Sequence, residues 1–187
     1  SGKLECDYCG STYDVAEIEA LYAEKEAKAA ETQQKEEQKQ AAKKQEVNAA
    51  CNKTIVEGFD VKLSDGQIHH FTMKEEDQIA FLTCLALISK GETAIPWHPN
   101  GSSTQPCVFY STDDMQKITD AAYEHRTFHT TYCNSLKIWV EATETAEELQ
   151  EIYYGADVPE TYQSDVLKAY LKAKESVGGT DESEAVR

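Results

Sequence analysis

Two cysteines near the start of the chain have the spacing of metal ligands. Cys6 and Cys9 form a Cys-x-x-Cys motif followed by Gly10, which lets two thiolates and the backbone amides between them wrap one side of a tetrahedral zinc ion. Zinc needs four ligands, and the sequence contains no second Cys-x-x-Cys. We expect either that another copy completes the site or that Cys6 and Cys9 form an exposed, reducible pair.

A second group of metal-ligating residue types recurs at helical spacing. His125, His129 and Cys133 lie at i, i+4 and i+8, so they could chelate a metal together with Cys107 or His98. We favour a structural role instead, because both histidines lie on the apolar face of a predicted helix. Cys133 is also displaced by about 80° around the helix from His125.

The residue types of a hydrolytic site are present, but no motif connects them. Such a site needs a nucleophile, a base and an orienting carboxylate, and the separate candidates are Cys84, Cys133, His98 and Asp113. The sequence has no glycine-rich phosphate loop of the Walker or dinucleotide type. We therefore predict a protein that is not an enzyme.

Composition excludes several kinds of partner. The 187 residues include 18 basic and 34 acidic side chains, for a formal charge of −16, which disfavours nucleic acid. No run of about 18 uncharged apolar residues occurs, so we expect no membrane span. The six cysteines follow no disulfide framework, which indicates a reducing compartment. The Ser-Gly start lacks a basic-then-apolar leader, so we expect no secretion signal.

The chain divides into four segments of different composition, and these segments must position the candidate residues named above. A half zinc-knuckle segment occupies residues 1–13, and a helical stalk is predicted over 14–50, since 23 of the 24 residues in 23–46 are Ala, Glu, Lys or Gln. A compact α+β domain of two β-hairpins and about four helices is predicted over 55–173. The acidic, Gly-containing tail 175–187 is predicted to be disordered.

The first predicted hairpin has an unresolved register. Residues 59–63 alternate apolar with polar side chains, Asp65-Gly66 follows, and a second arm begins at Ile68. A two-residue turn would pair Leu63 with Ile68 and put Phe71 on the opposite face. Either both faces are then partly covered or a bulge resets the alternation.

Helix signals follow this hairpin. Thr72 with Glu75 predicts a capping box before an apolar run over 79–88, and Gly91 is predicted to end that helix. A second hairpin is predicted over 94–111, connected by a loop containing Pro99, Asn100, Gly101 and Pro106, with Ser111 or Thr112 capping the next helix. That helix should be the longest in the core, because its apolar residues recur every three or four positions: Met115, Ile118, Ala122, His125, His129, Tyr132, Leu136 and Trp139.

Two further helices are predicted toward the end of the compact domain. Thr145 with Glu148 predicts another capping box, and Gly155 is predicted to end that helix. Pro159 is placed as the first residue of a final helix that continues through Leu171.

The compact domain resembles a known family. The segments that carry the likeness are 58–61, 63–66, 69–71, 95–98, 129–136 and 154–159, and they resemble a phage and prophage domain of unassigned function, encoded among tail-fibre, baseplate and lysis genes. The resemblance spans residues 55–173 and implies a helical stalk before the domain; the family has no known catalytic residues that could be assigned to this chain. Residues 1–20 resemble the second half of a bacterial zinc ribbon.

Two functions are the leading hypotheses, ahead of an enzyme of unknown type, which would need a polar cleft with matched acid and base groups assembled by the fold. The first is a non-enzymatic, tail-associated structural or assembly protein that contacts other phage tail proteins or itself, located in the virion or the bacterial cytoplasm. The second is a zinc-ribbon adaptor or regulatory protein that binds zinc through Cys6 and Cys9. Neither hypothesis involves a membrane or nucleic acid, and the only cofactor that either would use is zinc at Cys6 and Cys9.

Overall fold

The computed structural model describes residues 2–98 and 106–178. These residues form helices and three antiparallel strand pairs, so the predicted α+β class is confirmed. The chain divides between Lys43 and Lys44 into two units.

In the first unit, a small hairpin precedes a charged helix. Strand β1 (Lys3–Glu5) pairs antiparallel with β2 (Thr12–Asp14), and helix α1 (Val15–Glu57) follows directly. Asp14 caps this helix, its Oδ1 accepting a hydrogen bond from the Ala16 amide at 2.9 Å. No residue of α1 before Val47 is buried.

Ion pairs within the helix help to stabilise the exposed part of α1, whose residues also have high helix propensity. Glu24 pairs with Lys28 at 2.5 Å and Glu31 with Lys35 at 2.6 Å. Both pairs are at i,i+4 with the acid first, the favourable order for a helix in water.

The last turns of α1 belong to the second unit. Val47, Cys51 and Ile55, spaced four residues apart on one face, are buried in its core. The helix therefore continues beyond the stalk predicted over 14–50, and residues 44–57 contribute to the compact unit.

The first hairpin of the second unit has a different register from the predicted one. Strands β3 (Phe59–Lys62) and β4 (Ile68–Phe71) pair Lys62, not Leu63, with Ile68. The two-residue turn was therefore a wrong prediction.

A three-residue loop replaces that turn. The Leu63 amide donates to Gln67 O at 3.0 Å and the Gly66 amide donates to Leu63 O at 3.0 Å, while Gly66 has a φ of 78°. A turn followed by a left-handed glycine is the usual three-residue connection. The extra residue shifts the second strand, so Phe71 lies opposite Phe59 on the same buried face.

Helix α2 (Glu75–Ser89) begins with a different cap from the predicted one. The buried Asp77, not Glu75, reaches back, and its Oδ2 accepts from the Lys74 amide at 3.0 Å and from Thr72 Oγ1 at 2.8 Å. The shorter Asp side chain satisfies these donors from the third helical position. The predicted stop is confirmed, since Gly91 has a φ of 87° directly after the helix.

The second predicted hairpin and the long helix after it are confirmed. Strand β5 (Ala94–Trp97) pairs with β6 (Val108–Ser111), and helix α3 (Thr112–Ala142) follows. Of the two predicted caps, Ser111 is the one used, its side chain accepting from the Asp114 amide at 3.2 Å. Most of the connecting loop, residues 99–105, lies outside the described residues.

The final helices begin and end at other residues than predicted. Thr145 caps α4 (Ala146–Glu151) as expected, but the helix ends before Gly155, which lies in the turn beyond it. Pro159 precedes one turn of 3-10 helix, and α5 (Asp165–Gly178) begins only after it. Helix α5 includes the first residues of the tail predicted to be disordered, and residues 179–187 lie outside the described part.

Side chains from both hairpins and most helices form one core in the second unit. The most completely enclosed apolar side chains in this core are Phe71, Ile95, Met115, Ile118, Leu136, Ile152, Val47 and Val140. Over the described residues, none of the helices has a stretch long and apolar enough to cross a membrane.

Candidate functional site

A groove beside α3 in the second unit is the candidate binding site. Its volume is about 520 Å³. It lies between the α3 turn that carries His125 and His129, the end of α5 and the start of β3. The residues that line it are Phe59, Asp60, Ala121, Glu124, His125, Phe128, His129, Tyr170, Ala173 and Lys174. We call it the α3–α5 groove.

Aromatic rings form the floor of the α3–α5 groove. Phe128 lies edge-on to Tyr170 with ring centroids 5.9 Å apart, and it stacks on Tyr132 at 6.1 Å. The Lys174 ammonium lies 3.7 Å from the Phe128 ring centroid. Such a cation–π contact holds a positive charge at one side of an apolar surface.

Two carboxylates also line the groove. Asp60 projects from β3, and its Oδ1 lies 2.8 Å from His70 Nδ1, whose Nε2 in turn lies 2.8 Å from Glu57 O. Glu124 projects from α3 and is exposed. The lining of the α3–α5 groove therefore combines aromatic rings with side chains of both charges.

The two predicted helical histidines lie together at the base of this groove. Their ring centroids are 4.5 Å apart, and His125 Nε2 lies 3.2 Å from Thr54 O. Burial lowers the pKa of both rings, and the nearby His125 also contributes to lowering the pKa of His129 to about 4. Both imidazoles are therefore neutral at pH 7.

A tyrosine fixes the orientation of His129. Burial raises the pKa of Tyr154 to about 12, so its hydroxyl stays protonated, and it forms a hydrogen bond of 2.5 Å with His129 Nδ1. Sequence reasoning missed Tyr154 because it lies in the turn after α4, with no periodic signal to connect it to α3. The packed, hydrogen-bonded role predicted for these histidines agrees with the geometry.

Cys133 lies away from the histidine side chains. It is buried next to Cys51 of α1, and the Cys51 thiol donates to the His129 backbone oxygen at 3.3 Å. The contact with Cys133 and burial raise the pKa of Cys51, which keeps that thiol protonated. In the part of the chain that the structure describes, no three His, Cys, Asp or Glu side chains are arranged to hold a metal.

The other candidate catalytic residues are distributed over separate elements. His98 follows β5 and its Nε2 lies 3.3 Å from Asp77 Oδ1, a pairing that sequence reasoning missed. The neighbouring hydroxyl, Thr72 Oγ1, donates to the Asp77 carboxylate and not to the imidazole. This order differs from the nucleophile–base–carboxylate relay of a hydrolase. Cys84 is buried within α2, where burial raises the pKa of its thiol.

The Cys-x-x-Cys motif of the first unit lies in the loop between β1 and β2. The Gly10 amide donates to Cys6 O and the Cys6 amide donates to Ser11 O, both at 2.8 Å, and Gly10 has a φ of 68°. Hydrogen bonds from Ser11, with a smaller contribution from Cys6, lower the pKa of Cys9 to about 7. A substantial fraction of Cys9 is therefore thiolate at neutral pH, the form that binds metal.

Comparison with known proteins identifies a family. The family model for a Domain of unknown function (DUF4376) matches residues 37–156, more than half of the chain, so this chain belongs to that family. This confirms that the domain belongs to a family of unassigned function, with other bounds than the predicted 55–173: the match begins within α1 and ends before α5. No curated protein and no solved structure gives a significant match.

Proposed function

We propose that this protein is a non-enzymatic, phage tail-associated structural or assembly component. In this proposal the charged part of α1 is a stalk, and the compact domain binds a segment of another tail protein in the α3–α5 groove. The observation that carries the proposal is the groove itself, with Phe128 and Tyr170 on its floor and charges of both signs in its lining.

The chemistry of the groove favours an extended protein segment as its ligand. Aromatic rings supply large contact areas, and the lining also contains Lys174, Asp60 and Glu124. A segment that carries an apolar side chain together with an acidic and a basic one would complement both the rings and the charges. Its apolar part would displace water from the Phe128 and Tyr170 rings.

The stalk role rests on the composition of α1. None of its residues before Val47 is fully buried and most are exposed, yet the segment keeps its helix through propensity and i,i+4 ion pairs. A helix of this kind adds about 1.5 Å of length per residue. The phage setting itself rests on the sequence resemblance over residues 55–173.

Photo-crosslinking during phage assembly tests the proposal. A benzophenone amino acid at position 170 should crosslink to a tail, baseplate or tail-fibre protein identified by mass spectrometry. The same group at position 123 serves as the control, because Tyr123 is 68% exposed on α3 and lies outside the α3–α5 groove. Equal crosslinking at both positions, or absence of the protein from virions and from tail intermediates, would contradict the proposal.

A charge reversal provides a second, independent variant. Lys174→Glu reverses the charge that would meet the acidic side chain of the bound segment and should weaken capture of the crosslinked tail protein by about fivefold to tenfold, since an ion pair worth up to about 1 kcal/mol is lost and like charges meet. Lys172→Glu is the matched control, because Lys172 is exposed on the same helix but does not line the groove. Identical capture by the two variants would remove the groove from the proposal.

A zinc-dependent adaptor is the second candidate function, favoured by the Cys6–Cys9 loop. The lowered pKa of Cys9 favours the thiolate that zinc binds, and the turn at Gly10 is typical of a zinc-binding hairpin. Since each copy supplies two thiolates, two copies would share one ion. Purified protein should then contain about 0.5 zinc per chain. A Cys6→Ser, Cys9→Ser variant with the same zinc content as the parent would exclude this function.

A further inference from the structure

Helix α2 has apolar residues on two opposite faces. Its inner face carries Phe81 and Cys84, which are buried in the core. On the outer face Ile79 is 70% exposed and Leu82 is 68% exposed. A helix that is apolar around its whole circumference is normally buried on all sides. The outer face of α2 is apolar but exposed, so its composition predicts that another protein surface packs against it.

The outer face forms a continuous stripe. At 100° per residue, its members lie about half a turn away from the buried residues of the same helix. All of them are exposed: Glu75, Ile79, Leu82, Thr83, Ala86 and Lys90. We call these six residues the α2 stripe.

The α2 stripe is complementary to itself. Glu75 lies at its start and Lys90 at its end, and neither side chain forms an ion pair within the described part of the chain. Both residues are equally far from the midpoint between Leu82 and Thr83. A two-fold axis through that midpoint therefore places Glu75 of one copy beside Lys90 of the other, at both ends of the contact.

The same axis matches side-chain sizes. The large Ile79 of one copy would face the small Ala86 of the other, and Leu82 would face Thr83. Small residues opposite large ones allow two helices to approach to about 8–10 Å. The antiparallel arrangement also places the positive end of each helix dipole near the negative end of the other.

We infer that α2 is a homodimer interface, in which two copies of this chain pair their α2 stripes antiparallel about a two-fold axis. The occupant is a second copy because the charges, sizes and dipole all match under one symmetry operation. One helix face is at the small end of specific interfaces, so the dimer should be weak, with a Kd on the order of 10 µM. The inference does not depend on the proposed tail function, which a monomeric protein would leave standing.

Sedimentation equilibrium of the full chain from about 1 to 300 µM, a range that brackets the expected Kd, tests this inference. The parent protein should move from the chain mass of 20.9 kDa to twice that mass as concentration rises. Ile79→Glu, Leu82→Glu should raise the Kd at least about 50-fold, since two apolar contacts are lost in each half of the two-fold contact. Tyr123→Glu, Ile138→Glu is the matched control, with exposed apolar residues of α3 replaced, and should leave the Kd unchanged.

Charge exchange tests the antiparallel geometry itself. Glu75→Lys and Lys90→Glu should each raise the Kd by about fivefold at low salt, because two equivalent pairs are lost and like charges meet. The double variant, Glu75→Lys with Lys90→Glu, should restore the parent Kd, and melting curves at 1 µM check that each monomer is folded. A monomeric parent, a dimer insensitive to Ile79→Glu, Leu82→Glu, or a double variant no better than the single ones would each overturn the inference.

Discussion

Helix α3 and the part of α1 before Val47 are both long helices, but different forces stabilise them. Eight residues of α3 are buried, among them Met115, Ile118 and Leu136. In α1 the first buried residue is Val47, and the preceding turns depend on propensity and on ion pairs such as Glu24–Lys28. Ion pairs of that kind contribute only a few tenths of a kcal/mol each. The comparison shows that helical structure alone says little about where stability resides.

Truncating a core side chain of α3 should have the largest effect. Leu136 is completely buried, so Leu136→Ala should lower the free energy of unfolding by about 2–5 kcal/mol through lost contacts and a cavity. Urea denaturation followed by circular dichroism measures the change. A loss below about 0.5 kcal/mol, the range of surface substitutions, would contradict the core assigned to the second unit.

A glycine at the end of α1 tests how closely this helix meets the first hairpin. Gly58 has a φ of 97°, and an added Cβ would lie 1.9 Å from Phe71 O. Gly58→Ala should therefore cost about 3 kcal/mol or more, since backbone strain and a clash with main-chain atoms add.

Gly66 provides the control for that substitution. It also has a positive φ, of 78°, but an added Cβ would meet nothing within 4 Å. Gly66→Ala should cost only about 1 kcal/mol, the penalty of the left-handed conformation alone. If both variants lost the same free energy of unfolding, the close contact of Gly58 with β4 would not contribute to the cost of Gly58→Ala.

Acid should destabilise the second unit through the half-buried His129. Burial lowers the pKa of His129 to about 4, below the value of about 6.5 expected in the unfolded chain. The unfolded state binds more protons between these values, so stability present above pH 6.5 is lost as the pH falls to about 4. The loss should be about 1–3 kcal/mol, since this ring is only partly enclosed.

His129→Gln tests the assignment of that pH dependence. Glutamine does not titrate, so urea denaturation at about pH 7 and pH 4.5, on either side of most of the titration range, should give a smaller difference for the variant than for the parent. If the variant showed the same difference in unfolding free energy between the two pH values as the parent, groups other than His129 would cause the pH dependence.

The smallest effect is expected in the charged part of α1. Lys35 is two-thirds exposed and pairs only with Glu31, so Lys35→Ala should change the free energy of unfolding by less than about 0.5 kcal/mol. The same urea denaturation measures it. A loss comparable to that of Leu136→Ala would mean that this segment packs against something essential.

Periodic apolar patterns made the helices and hairpins of the fold predictable. The spacing of Met115, Ile118, Ala122 and Leu136 predicted α3, and all four are buried. Local geometry was harder, because a two-residue and a three-residue loop at Asp65-Gly66 differ by one residue in a sequence that suits both. The inner face of α2 was also hard to predict, because residues 79–88 are mostly apolar: Phe81 and Cys84 are buried, but Leu85 is only half-buried.

The candidate site was predictable only in part. His125 and His129 were identified from their i,i+4 spacing. The carboxylate of Asp60, the Tyr154 hydroxyl and the Lys174 ammonium come to them from three other elements. Such contacts depend on how α5 and the turn after α4 pack on α3, and no local pattern encodes that packing. The capping role of Asp77, in contrast, could have been predicted from the sequence. Asp77 is the third acidic residue after Glu75 and Glu76, and an acidic residue at the third helical position is a known capping signal.

Hydrogen exchange of the full chain, resolved by mass spectrometry, tests the difference between the two units most directly. Amides of residues 20–40 should exchange through local fraying, at least about a hundredfold faster than amides of residues 115–140, which need global unfolding. Similar protection in the two segments would contradict the conclusion that a core beginning at Val47 holds the stability of this protein.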